Sequence, residues 1–301
     1  MRKLVVVALL GSLAQLVDGT LGMAYGVTAT TALLVAGITP AVASASVHLS
    51  EVGTTLASGI SHWRFGNVDW RVVGLIGVPG GVGAFTGATV LSGLSTESAS
   101  RWVAALLIGL GLYILARFAT GRVRAVVTGR PAGRLLGPLG LVAGFIDATG
   151  GGGWGPVATS TLLGSGRLEP RKTVGSVNTA EFIVAVAASA GFLVGLGRQN
   201  VPVDLVLALL AGGVLAAPVA AYLVSRVPVR WLGVGVGGLL VLTNARTLLT
   251  ASGIGTGGRF AAYVAIVALW LAAAVVGARL LRQQRAAVAP VESRELEVVG
   301  S

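Results

Sequence analysis

Val17-Asp18-Gly19-Thr20-Leu21-Gly22-Met23-Ala24-Tyr25-Gly26 returns 129 residues later as Ile146-Asp147-Ala148-Thr149-Gly150-Gly151-Gly152-Gly153-Trp154-Gly155. The likeness continues in order. Leu33-Leu34 answers Leu162-Leu163 and, after a one-residue shift, Ser46-Val47-His48 answers Ser176-Val177-Asn178. Glu51 then matches Glu181, Gly80-Gly81-Val82 matches Gly212-Gly213-Val214, and Arg101-Trp102 matches Arg230-Trp231. Matches spread in order over so long a stretch mark an internal duplication, which sets the plan of the whole chain.

Around that repeat lie long apolar blocks such as Val72–Leu91, Phe182–Gly197 and Phe260–Ala278. Of 301 residues, 54% are hydrophobic and 11% charged, and the mean hydropathy is +0.86. A soluble domain carries about a quarter charged residues, and a helix crossing the hydrocarbon needs roughly 20 mostly apolar ones. The chain therefore reads as an all-α integral membrane protein. The 46 glycines suit close packing of membrane helices. The absence of Cys excludes disulfides, thiolate metal sites and thiol catalysis. A net charge of +11 invites a nucleic-acid reading, but the basic residues sit mainly in connecting loops, as membrane topology requires. No nucleic-acid partner is expected.

Each unit comprises an interrupted apolar stretch and three further spans. In the first these are 4–36, 41–61, 71–91 and 101–118; in the second, 134–166, 172–197, 203–225 and 230–247. The expected organisation is a first repeat over 1–118, a basic cytoplasmic linker at 119–133 and a second repeat over 134–248. An extra membrane helix within 249–285 and a polar tail at 286–301 follow. Met1-Arg2-Lys3 and the apolar run behind it imitate a secretory signal, but the mid-chain counterpart makes this stretch part of the folded unit. If each interrupted stretch crosses once, the two units face the same way. If each enters and returns as paired half-helices, the units are inverted. With the linker inside, the inverted arrangement puts 16 basic residues in the cytoplasm and 6 outside, which the positive-inside tendency favours.

Four acids lie within apolar segments, and they form two repeat-matched pairs: Asp18 with Asp147, and Glu51 with Glu181. An ionisable group at membrane depth costs about 2.5–3.5 kcal/mol on insertion scales and usually faces a cavity, an ion path or a partner. Asp18 and Asp147 also suit plain capping of the half-helices behind them. The glycines after each Asp (Gly22, Gly26, and Gly151, Gly152, Gly153) would break a helix where only buried or wet backbone is tolerated. A new half-helix starting there presents free N–H groups and partial positive charge, which favours an anion. Paired discontinuous helices in two repeats are the best sequence pointer to a transporter's binding site. His48 and Asn178 stand three residues before Glu51 and Glu181, on the same helix face. His48 with Glu51 suits either a proton relay or a packing pair. Tyr25 and Trp154 are matched aromatics that either wall a cavity or simply pack. Arg101, Arg117, Arg230 and Arg246, at helix ends, suit anchoring to headgroups.

These motifs resemble those of the sulfite exporter TauE/SafE family, also called the TSUP family. The resemblance rests on Val17–Gly26, Val47-His48 with Glu51, Gly144–Ala148 with Gly150–Pro156, and Gly175–Asn178 with Glu181-Phe182. It implies transport of sulfur-containing anions, such as sulfite or a sulfonate, across the cytoplasmic membrane, driven by an ion gradient. The expected function is thus secondary transport of a small anion, coupled to protons. A carboxylate beside an anion must be protonated or paired, or it repels the cargo. A cation transporter using the buried carboxylates is the alternative. An intramembrane aspartyl protease is a remote one, since neither Asp follows a Gly-x-Gly. No catalytic residue, metal site or cofactor is expected. The expected setting is a multi-pass protein of a prokaryotic plasma membrane.

Overall fold

A computed structural model describes residues 2–21, 23–121, 133–165, 167–197, 200–223 and 229–299. Gly22 and most of the 119–133 linker lie outside the described residues. Among those described there are helices and no strands. The first interrupted stretch is two helices, α1 (Arg2–Leu21) and α2 (Tyr25–Val35). The second is α6 (Gly133–Gly150) followed by a π-helical turn, Gly155–Thr159, that runs into α7 (Ser160–Ser165). The remaining spans are α3 (Pro40–Arg64), α4 (Trp70–Gly93), α5 (Thr96–Thr120), α8 (Pro170–Leu196), α9 (Val203–Leu223) and α10 (Val229–Ala251).

The last helix, α11, runs Thr256–Val299, well past the expected membrane segment and through the stretch read as a polar tail. In that stretch Ala286, Ala287, Ala289, Glu292, Glu295 and Glu297 are good helix formers.

Helices α4, α5, α8, α10 and the Thr256–Gln283 part of α11 are each long and apolar enough to cross a membrane. Helix α3 is equally long but carries Ser44, Ser46, His48, Ser50, Glu51 and Thr55 along its buried face. Those groups dilute its hydropathy because they face protein, not lipid.

The packing exchanges partners between the units. Helix α1 lies on α9, and its counterpart α6 lies on α4. Helices α3 and α8 pack on each other, as do α5 and α10. Contacts along these pairs also give their sense. Gly175 meets Asn67, Gly59 meets Thr179, and His48 stacks on Phe192, so α3 and α8 run antiparallel. Gly121 meets Arg230 while Gly111 meets Leu240, so α5 and α10 do too. By contrast α6 runs parallel to α4: Gly140 sits against Ile76 and Gly144 against Gly80. A Cβ on Gly144 would stand 2.0 Å from the Gly80 carbonyl oxygen, so this seam closes only because the residue has no side chain.

That sense gathers the end of α3 and the starts of α4, α6 and α8 at one end of the bundle. Arg64, Arg71, Arg134, Arg167, Arg171 and Lys172 are there, with only Asp69 and Glu169 among the acids of those segments. Asp69 caps α4 by accepting from Arg71 N and Val72 N, and Glu169 pairs with Arg171. The described surface of this end is strongly basic.

Candidate functional site

Both helix breaks are closed in the same way. Asp18, near the end of α1, accepts the backbone N–H of Tyr25, the first residue of α2, at 3.1 Å. Asp147, near the end of α6, accepts that of Trp154 at 2.9 Å. Each carboxylate thus reaches across its break to satisfy a donor that a helix start leaves without an internal partner. The capping expected of these residues is present in both units.

The breaks also touch each other. A Cβ on Gly26 would lie 2.6 Å from Cα of Gly152, and one on Gly152 would lie 2.1 Å from Val27 N. Gly152 has φ 147° and Gly151 φ 67°, conformations that side chains resist. Ala24, just before α2, holds φ 126° without being glycine, and such strain clusters at ligand sites. The Thr30 hydroxyl donates to Gly151 O, and that of Ser44 to Ala148 O at 2.7 Å, so α2 and α3 hold the second break in place.

Where the breaks meet there is a cavity of about 110 Å³. Asp18, Tyr25, Gly26, Glu51, Asp147, Gly152, Gly153, Trp154, Asn178 and Glu181 all line it, so ten of the expected site residues converge. Gly151 does not; it is turned against Thr30. His48 stands behind the wall, fully buried, with Nδ1 2.9 Å from Glu51 and 3.8 Å from Asp147. Its Nε2 lies 3.3 Å from the Asp147 carbonyl, and its ring stacks on Phe192 at 6.1 Å. Trp154 combines both expected roles: it lines the cavity, yet is fully buried and donates from Nε1 to Val177 O at 3.1 Å.

Sequence reading missed Gln15, Thr54, Thr55 and Ser58, which also line the cavity. Thr54, Thr55 and Ser58 lie one and two turns beyond Glu51 on the same helix. That periodicity was the available signal. Among the arginines read as headgroup anchors, Arg230 instead donates to Gly277 O at 3.0 Å, and Arg101 pairs with Glu97.

Repeat-matched positions differ in exposure. Asp147 and Glu51 are 2% and 4% exposed, while Asp18 and Glu181 are half-buried at the cavity. The lining of α3 extends from Glu51 through Thr55 to Ser58, toward the basic end. On the other side of Glu51, His48 and Phe192 stack on each other and are both fully buried. The cavity is lined asymmetrically although its parts are duplicated. Among the described residues, no three His, Cys, Asp or Glu side chains converge closely enough to hold a metal ion.

Residues 7–247 match the family model described as Sulfite exporter TauE/SafE. The chain belongs to the sulfite exporter TauE/SafE family. It is also 52% identical, over 275 residues, to a probable membrane transporter protein, YtnM, of Bacillus subtilis (strain 168). That match covers 91% of this chain and 92% of the relative. No solved structure matches the chain. This TauE/SafE protein is a multi-pass membrane transporter of the cell membrane and not an enzyme.

Proposed function

We propose that the protein is a proton-coupled secondary transporter for a small sulfur-containing anion, sulfite or a short sulfonate. The observation that carries this reading is the meeting of two half-helix starts in one polar cavity. The N–H groups of Gly26, Val27 and Gly155 belong to first turns, where no preceding helical carbonyl accepts them, and all three residues line the cavity. Helix starts of this kind favour negative charge. Asn178 and Gln15 add side-chain amides. A volume of about 110 Å³ suits an ion of a few heavy atoms.

The lining includes four carboxylates and no Lys or Arg. An anion enters such a place only when the acids are neutralised, so each anion travels with protons on Asp18 and Glu181, the two less buried of the four. Protonated His48, held between Glu51 and Asp147, offsets one charge of the inner pair, and a further proton on that pair offsets the other. The two units lie inverted across the bilayer, each with a re-entrant pair of half-helices. The antiparallel pairing of α3 with α8 and of α5 with α10 supports that arrangement. The basic end faces the cytoplasm, so the cavity is open inward and His48 with Phe192 closes the outer path. Inverted units give alternating access by exchanging conformations about a fixed central site.

A second reading, a cation transporter, is favoured by the same four carboxylates. Purified protein in liposomes separates the two. Accumulation of radiolabelled sulfite or a short alkylsulfonate, accelerated by a proton gradient, supports the first. Divalent-cation uptake without anion uptake replaces it with the second.

A further inference from the structure

A second cavity, about 190 Å³, lies on the exposed flank of the α3–α8 contact. Leu56, Ile60, Trp63, Trp70, Phe182 and Ile183 line it, with Gly59 at its floor. Two hydroxyls border it, and each is turned to its own helix: Thr55 donates to Glu51 O and Thr179 to Gly175 O. The groove therefore offers methyl groups and rings, not hydrogen bonds. An anion has no reason to enter it.

At one end of the groove Trp63 and Trp70 meet edge to face, ring centroids 6.4 Å apart, and both are more than half exposed. Such aromatic pairs sit at the headgroup level of a bilayer. Arg64 and Arg71 follow them directly in sequence and are exposed. The acids nearby are engaged, Asp69 as the cap of α4 and Glu169 with Arg171. From its mouth the groove runs along α3 from Trp63 back to Thr55, about two turns toward the bilayer centre. Apolar depth, an aromatic rim and net positive charge outside that rim match one kind of molecule.

We infer that this groove is a binding site for an anionic phospholipid, with an acyl chain between Leu56, Gly59, Ile60 and Phe182 and the headgroup at Arg64 and Arg71. The site shares Thr55 with the transport cavity, and Ser58 and Asn178 of that cavity, hydrogen-bonded at 3.4 Å, immediately precede Gly59 and Thr179 of the groove. It is independent of which ion the transporter carries.

The test is native mass spectrometry of the detergent-purified full chain. It is titrated with phosphatidylglycerol or phosphatidylcholine of identical acyl chains. The wild type is expected to retain at least threefold more phosphatidylglycerol. Gly59→Leu fills the groove, where a Cβ meets nothing closer than 3.6 Å, and should reduce retention of both lipids at least threefold. Arg64→Gln with Arg71→Gln, on the exposed surface, should abolish the preference for the anionic headgroup. Equal retention of the two lipids by the wild type overturns the inference. So does an unchanged preference in the double arginine variant, whether or not Gly59→Leu folds.

Discussion

Gly26 and Gly152 lie back to back at the centre of the bundle, so close that a Cβ on either would collide with the other's backbone. This contact joins the two halves of the duplication at the cavity. Of all features described, it ties sequence most tightly to function, because only glycine permits it.

Gly152→Ala should therefore abolish transport. The new methyl would stand 2.1 Å from Val27 N, in a residue already at φ 147°. Flux in proteoliposomes is expected to fall at least tenfold, equivalent to about 1.4 kcal/mol or more. Gly164→Ala, where a Cβ meets nothing within 4 Å, should retain flux under the same assay.

Replacing the caps separates charge from hydrogen bonding. Asp147→Ala leaves the Trp154 N–H without its acceptor, and loss of a cap costs about 0.5–2 kcal/mol. Asp147→Asn keeps an acceptor oxygen. Thermal unfolding in detergent should show Ala less stable than Asn, with Asn near the wild type. Asp18→Ala and Asp18→Asn should repeat that order through Tyr25.

The chain has no cysteine, so single cysteines report directly on which side is open. Ser58→Cys should react with a membrane-impermeant thiol reagent added from the cytoplasmic side. Ala188→Cys, fully buried on α8 one turn before Phe192, should react from neither. Adding Phe192→Ala removes the stacking partner of His48 and should open Ala188→Cys to the outer side. Reaction of Ser58→Cys only from outside would reverse the assigned orientation.

Proton coupling has its own signature. Flux of an alkylsulfonate, which stays ionised across the accessible pH range, should rise as pH falls, because protonated carboxylates cease to repel it. Glu181→Gln mimics the protonated state of a cavity acid and should flatten that rise. Sulfite is unsuitable here, since its own ionisation changes near neutral pH.

The long apolar helices and the duplication were legible because both depend on local pattern: hydrophobic length, and recurrence of one motif. The breaks were legible because glycines follow an Asp at matched positions of both repeats, inside apolar stretches. The nearness of Gly26 to Gly152 was not, because equivalence in a repeat says nothing about contact. Nor was the unequal burial of matched acids, since Asp18 and Asp147 stand in similar sequence and differ only in what packs over them. Thr54, Thr55 and Ser58 escaped notice because hydroxyls in a membrane helix usually bond to their own backbone, as Thr55 does.

Flux of a radiolabelled short alkylsulfonate into liposomes holding the wild-type protein, with and without an imposed pH gradient, tests the anion seat most directly. Gradient-accelerated uptake that disappears in Gly152→Ala is the expected result. Divalent-cation uptake with no movement of sulfonate or sulfite at any pH would contradict it.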